Sequence, residues 1–339
     1  MILDWFERLM GFAEGGYEDT RSRLEVEGRE LRSRVNGRSY GIGELELVSL
    51  QSLRERVSSG TGLPDRLKMR AVSGDVRHLH QSPEYAGALF QVASQFNLLE
   101  MVSPDVTPEH GVTRYQHDKT QGPACAIAAG AGTIYRNYFV PVGGGCGQTS
   151  QRQLDVLADV GEALSRTLGK PVDALWAMRN GYALCSADGL AAIGTYLNAS
   201  SAAETDALRA LLRIGVHRDV EVTDGELRRR QVVSQAFCSA LPVAYTSVPP
   251  IRWQSFAELV LEAAYEATLW AAVLNARRGA SNIVLLTRLG GGAFGNDEAW
   301  ITSAMWRALT KVQDCSLDVR LVSRGAPPSS MLAMEKAFG

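Results

Sequence analysis

Cysteine is scarce and unpaired in this sequence. The five cysteines, Cys125, Cys146, Cys185, Cys238 and Cys315, are odd in number and form no C-x-x-C pair. That argues against a disulfide framework and for a reducing compartment. His110 and His117 stand near Cys125 and Cys146, but the spacing fits no zinc motif, so neither a metal nor a cofactor is expected. Long apolar runs are also missing. Asp4, Glu7 and Arg8 interrupt the opening Met1-Ile2-Leu3 at once. Neither a secretory h-region nor a membrane span is expected, and the chain reads as a cytoplasmic protein without membrane contact. No G-x-S-x-G and no Walker A sequence occurs, which sets aside serine-hydrolase and P-loop readings. Charge of either sign is not in excess: the formal net charge is -2, against a protein held to nucleic acid by bulk attraction. The local run Arg228-Arg229-Arg230 is read as a solvated surface feature.

What is present is an ordinary globular composition, 45% hydrophobic and 21% charged over 339 residues, enough for a large core. The length exceeds that of a usual single domain, so one enlarged domain or a domain with an appendage is expected. Residues 3–13 fit a short amphipathic helix, and 29–49 a β-hairpin about Asn36-Gly37. From 66 onward strands and helices alternate. Strands are expected over 66–73, 86–96, 176–185, 212–222, 231–243, 281–289 and 317–322, and helices over 124–138, 151–168, 188–197, 256–276 and 297–312. Such alternation predicts a three-layer α/β/α sandwich with a mixed central sheet. It would be enlarged by an N-terminal β-hairpin extension over 1–65 and a helical insert at about 140–230 within a main domain 66–339.

Four segments carry chemistry. The strand over 281–289 runs into Gly290-Gly291-Gly292-Ala293-Phe294-Gly295-Asn296-Asp297 and then a helix. Glycines at a strand-to-helix turn let backbone N–H groups approach phosphate, and the helix N-terminus adds partial positive charge. Asp297 or Asn296 can cap that helix. Gln121-Gly122-Pro123-Ala124-Cys125-Ala126 opens a helix of small residues that permit close approach of a ligand or of another backbone. Gly74-Asp75-Val76 ends one strand, where a carboxylate can accept from an exocyclic amine or simply cap a turn. Asn97 ends the next, where an amide can both donate to and accept from ribose hydroxyls.

In that order these segments resemble the macrodomain plan, and the late motif GGGAFGND resembles the poly(ADP-ribose) glycohydrolase version of its loop. The resemblance runs from about 66 to 325. It implies that Asp75, with Val76, meets an adenine amine and that Asn97 orients the distal ribose. It also implies that Gln121, Gly122, Ala124, Cys125 and Ala126 face Gly290 to Asn296 across a diphosphate, with Phe294 against the distal ribose or the adjacent phosphate. The implied partner is ADP-ribose or an ADP-ribosylated substrate, with nucleic acid expected only as a modified substrate. The chain also departs from that plan. More than twenty residues separate Asn97 from Gly122, and only one glycine stands at the first loop. The triple glycine Gly143-Gly144-Gly145 is followed by Gln148 and Gln151, where the glycohydrolase loop has glutamates. A glutamate-based mechanism is therefore not carried over.

Hydrolysis of an ADP-ribosyl bond passes through an oxocarbenium-like state and needs an acid/base group. Asp118, just ahead of the first loop, is the candidate, with Asn97 holding the ribose. The alternatives are a non-catalytic reader of ADP-ribose or a related nucleotide, and a degenerate scaffold with an empty cleft. A cysteine nucleophile is disfavoured: Cys125 lies near a helix N-terminus with no base partner visible, and Cys238 lies inside a strand.

Overall fold

The computed structural model describes residues 3–60, 65–225 and 230–339; Met1, Ile2, Arg228 and Arg229 lie outside the described residues. Seven strands form the central sheet: β1 (Glu44–Ser49), β2 (Lys68–Ser73), β3 (Leu89–Ala93), β4 (Arg213–Glu221), β5 (Val232–Cys238), β6 (Ile283–Leu286) and β7 (Asp318–Ser323). Their spatial order is β1-β4-β5-β3-β6-β7-β2. The β5-β3-β6-β7-β2 block is parallel throughout, whereas β4 is antiparallel to both β1 and β5. The sheet is therefore mixed, as expected. Its interior strands are covered on both faces: six of the seven residues of β5 are buried, the near-continuous burial such a strand shows.

Strand alternation assigns the two layers of helices. The helices needed below are α1 (Trp5–Met10), α2 (Leu50–Ser58), α3 (Val76–Gln81), α4 (Gln121–Ala128), α5 (Gly130–Tyr138), α6 (Gln254–Arg277) and α7 (Glu298–Lys311). On one face Gln91 and Cys238 meet Thr268 of α6, and Ser234 meets Asn275 of the same helix. On the other, Phe90 stacks on His80 of α3 at 3.7 Å between ring centroids. Gln235 donates to the Cys125 carbonyl of α4, and the Arg136 guanidinium of α5 lies 3.8 Å from the Phe237 ring centre. Helix α6 is apolar nearly all round and buried along its length, so it serves as the core of its layer. Its one buried carboxylate, Glu266, is neutralised by Arg54 of α2 and Arg307 of α7.

Several boundaries differ from the expected ones. The helix expected over 124–138 is two helices that break at Ala129 (φ -116°, ψ 58°). Gly130 there packs so tightly against Trp5 and Leu9 that no Cβ would fit. The region 176–185 is a hairpin of Trp176–Arg179 and Tyr182–Cys185, turned by Asn180 and Gly181 at φ 46° and 80°. The helix expected from 151 begins at Ala158. The Asn36-Gly37 hairpin forms, pairing Glu30–Ser33 with Ser39–Gly41, and a third strand, Leu24–Glu27, joins it. Glu44–Ser49, expected in that hairpin, is instead an edge strand of the central sheet, paired with β4. The stretches 1–65 and 140–230 thus each contribute a strand to the central sheet. Arg230 is tied to Glu30 and Glu221.

Candidate active site

The parallel strands share a carboxyl edge. The chain leaves β3 toward α4 on one face, and leaves the neighbouring β6 toward α7 on the other. Adjacent strands whose connections diverge to opposite faces open a crevice between them. A cleft of about 150 Å³, partly open to solvent, lies there.

One wall is the loop that follows β6. Thr287, Arg288, Leu289, Gly290, Gly292, Ala293 and Phe294 line it. Buried Tyr265 of α6 fixes its start, donating to the Thr287 carbonyl at 2.7 Å and accepting from Leu289 N–H at 2.8 Å. Asn296 fixes its end, donating from Nδ2 to the Leu241 carbonyl at 2.8 Å, while its backbone N–H returns to the Gly290 carbonyl at 3.0 Å. Gly290 has φ 75° and its Cα comes so close to Ala240 that a Cβ would stand 2.5 Å from the Ala240 methyl. Asp297 then caps α7 through Ala299 N–H. Within this tied loop, Gly291, Gly295 and Asn296 spend their N–H groups on backbone carbonyls. Among the described residues, the N–H groups of Gly290, Gly292, Ala293 and Phe294 have no protein acceptor. A run of free amides ahead of a helix start is a concave donor surface for an anion.

The opposite wall comes from the segment after β3 and from the start of α4. Gln121 binds both polar groups of the strand end: its Oε1 accepts from Ala93 N–H at 2.9 Å and its Nε2 donates to the Gln91 carbonyl at 2.8 Å. That clamp sets Gly122 against the strand. Beside it stands Glu100, 2% exposed, whose Oε1 is buried without a hydrogen-bond partner. Burial pushes the Glu100 carboxyl well above the ordinary glutamate range, and the Asp118 charge raises it further, with the Arg136 cation the opposing influence. Asp118 also lines the cleft and accepts Thr120 N–H at 2.8 Å. Tyr182, Tyr245 and Phe294 form an aromatic cluster at one end, with ring centroids 5.0–5.5 Å apart.

Of the residues singled out in the sequence, the cleft brings together Asp118, Gln121, Gly122, Gly290, Gly292, Ala293 and Phe294. Gly291, Gly295 and Asn296 shape the second loop from outside the lining. Ala124, Cys125 and Ala126 sit in α4, where Cys125 is fully buried and its thiol is pushed well above the usual range. Cys238 is buried too, its thiol pushed up to about 12. Both are poor nucleophiles. Asn97 is wholly buried and outside the lining: its Nδ2 donates to Gln153 at 2.8 Å and its Oδ1 accepts from Leu99 N–H at 3.0 Å. Asp75 caps α3 through Arg77 N–H at 2.8 Å and Val76 is buried beneath it, both outside the lining. Gln148 is spent on the carbonyls of Asn97 and Arg136 and on Leu154 N–H. No group of three or more metal-ligating side chains occurs among the described residues. Sequence reasoning missed Glu100. A lone glutamate closing the run Leu98-Leu99 was its only signal.

No protein-family model matches the chain, and no curated protein matches it. Among solved structures it is similar to a poly(ADP-ribose) glycohydrolase from Thermomonospora curvata, with TM-score 0.46 and 13% identity over 95% of this chain and 96% of that one. It is also similar to a poly(ADP-ribose) glycohydrolase from Deinococcus radiodurans in complex with ADP-ribose, with TM-score 0.47 and 12% identity over 86% of this chain and 93% of that one. At these values the likeness carries no residue correspondence.

Proposed function

We propose that the protein binds ADP-ribose, or a substrate that carries it, and hydrolyses the ADP-ribosyl bond, as a macrodomain-type hydrolase working in the cytoplasm. The observation that carries this reading is the pairing of the two cleft walls. Free amides of Gly290, Gly292, Ala293 and Phe294 suit a diphosphate, and the buried, unpartnered carboxyl of Glu100 stands beside the second carboxyl, Asp118.

A carboxyl whose proton affinity is raised by burial can serve as the acid, and a second carboxyl beside it as the base. Glu100, its proton affinity raised by burial, is the acid and gives its proton to the leaving oxygen as the anomeric C–O bond breaks. Asp118, at the solvent side, accepts the proton of the attacking water, and either carboxylate steadies the oxocarbenium-like state. The diphosphate is held by the β6–α7 loop, and Phe294 with Tyr182 and Tyr245 offers flat apolar surface to a ring. Asp75, at the carboxyl end of the outer parallel strand β2, is the proposed contact for the adenine amine beyond the cleft walls. Asn97 would act on the ribose only through the turn that it shapes.

A non-catalytic reader remains the second reading, because Gln148 and Gln151 stand in the sequence where glycohydrolases have glutamates and Gln148 is committed to structure. Glu100→Gln separates the two. A hydrolase loses turnover of an ADP-ribosylated protein while ADP-ribose affinity holds; a reader has no turnover to lose.

A further inference from the structure

The Glu100 carboxyl is carried by a tight turn, and the turn has an unusual anchor. Leu98 sits in it with φ 63°, a conformation that costs a branched side chain energy and persists only where neighbours impose it. Asn97 Oδ1 accepts Leu99 N–H at 3.0 Å, Gln148 Nε2 donates to the Asn97 carbonyl at 3.1 Å, and the Tyr115 hydroxyl accepts Glu100 N–H at 3.0 Å. The Leu99 carbonyl accepts from Gln95 N–H at 3.0 Å, and that of Leu98 accepts from Arg136 Nε at 3.2 Å.

Arg136 is itself wholly buried. Its Nη2 donates to Thr133 Oγ1 at 3.0 Å, its Nη1 to His217 Nδ1 at 3.2 Å, and its plane covers Phe237. None of these partners is an anion. Burial and the Arg136 charge hold His217 well below its ordinary value, so the imidazole is neutral and accepts. The titratable groups that face Arg136 are Glu100 from the turn, Tyr115 from the 113–117 turn and Cys125 from α4, with His217 from β4. The phenol and the thiol are both pushed above their ordinary values by burial, so they stay neutral. Glu100 is faced in turn by Arg136 and Asp118, and by Tyr115, Cys125 and the cleft-wall Tyr182. No ion pair joins Arg136 to a carboxylate among the described residues. A buried guanidinium without a paired anion is costly, and its presence beside an isolated buried carboxyl calls for a reason.

We propose that Arg136 is the positioning residue of this site: it grips the 97–100 turn through the Leu98 carbonyl and supplies the buried cation that the Glu100 carboxyl faces. The inference rests on reading Glu100 as the acid of the cleft. Arg136 works at a distance, by placing the carboxyl and by easing the loss and return of its proton during turnover, and it touches no substrate.

The test titrates the Glu100 carboxyl directly, by carbon NMR of protein labelled in glutamate carboxyls, with Glu100→Gln assigning the signal. Arg136→Gln keeps an amide to donate toward Leu98 but removes the charge, and Arg136→Lys keeps the charge but loses the fork. The expected result in Arg136→Gln is a midpoint raised by about one pH unit or more. Arg136→Lys holds the midpoint near that of the wild type, while kcat on an ADP-ribosylated protein falls roughly tenfold through misplacement of the carboxyl. A purely structural arginine would lower Tm in both variants and leave the midpoint where it was, which overturns the proposal. Should Arg136→Gln not fold, Arg136→Lys decides alone, because full kcat there overturns the grip on the turn. Turnover that survives in Glu100→Gln overturns the reading of Glu100 but leaves the midpoint measurement standing. Turnover lost in Glu100→Gln with an unmoved midpoint in Arg136→Gln overturns only the role of Arg136.

Discussion

Gly122 stands directly against Glu100: a Cβ added to Gly122 would overlap both Glu100 Oε2 and the Ala93 carbonyl oxygen. One neighbour is backbone and the other is the site's buried carboxyl, so neither can yield without moving the cleft wall. Gly122→Ala is therefore expected to lower stability by about 1–3 kcal/mol, the usual cost of overpacking, and to abolish turnover. Thermal melts and hydrolysis assays check both; a stable, active variant contradicts the placement of Glu100.

Glu100→Gln should cut kcat by roughly 10²–10⁴-fold, the range for loss of an acid/base group, with little change in ADP-ribose affinity. It should also stabilise the protein in a pH-dependent way. The unfolded chain titrates this carboxyl near 4.5, whereas burial raises it in the fold. The folded state therefore binds the proton more tightly, its contribution is complete below about pH 4.5, and it is lost as pH rises toward the folded value. The Tm advantage of Glu100→Gln over the wild type should open above that pH and widen as pH rises. An advantage that shrinks with pH has the wrong sign for this account.

Asp118 contributes a like charge that raises Glu100. Asp118→Asn should move the limb of the pH–rate profile that belongs to Glu100 to lower pH. It should also slow turnover by less than Glu100→Gln does. A limb that stays fixed means that the two carboxyls do not share one site.

The two glycines Gly290 and Gly292 make a contrast within one loop. Gly290 has φ 75° and faces Ala240, whereas a Cβ on Gly292 meets nothing within 4 Å. Gly290→Ala should strain the loop and weaken ADP-ribose binding about tenfold or more, with a lowered Tm, because alanine at positive φ costs on the order of 1 kcal/mol before any clash. Gly292→Ala should leave Tm unchanged. Calorimetric titration and melts on the pair check the contrast, and equal effects would contradict it.

The parts of this fold that sequence makes legible are those decided locally. The strand over 281–289, the glycine turn after it and the Asp297 cap depend on residues that are neighbours in the chain, and they form as expected apart from a shorter strand, Ile283–Leu286. The long helix over 256–276 declares itself by its high content of apolar residues and its lack of glycine and proline, and it forms as Gln254–Arg277. Glu100 was hidden because its meaning lies in Gly122, Asp118 and Arg136, which are brought to it only by tertiary folding. Asn97 drew attention as a strand-end amide, but Gln153, 56 residues away, takes its Nδ2, and no local pattern foretells that bond. The break at Ala129 likewise lies next to Gly130, which packs on α1 more than a hundred residues away in the chain. Strand β1 looks like part of the neighbouring hairpin in the sequence because its partner, β4, lies far along the chain.

The measurement that tests the central claim most directly is calorimetric titration of ADP-ribose into the wild type and into Gly290→Ala. The account predicts micromolar binding to the wild type, weakened in the variant, with the same rank order in ligand-induced thermal stabilisation. No heat and no stabilisation of the wild type at millimolar ADP-ribose would contradict it, and the free amides of the β6–α7 loop would then have to serve a different anion.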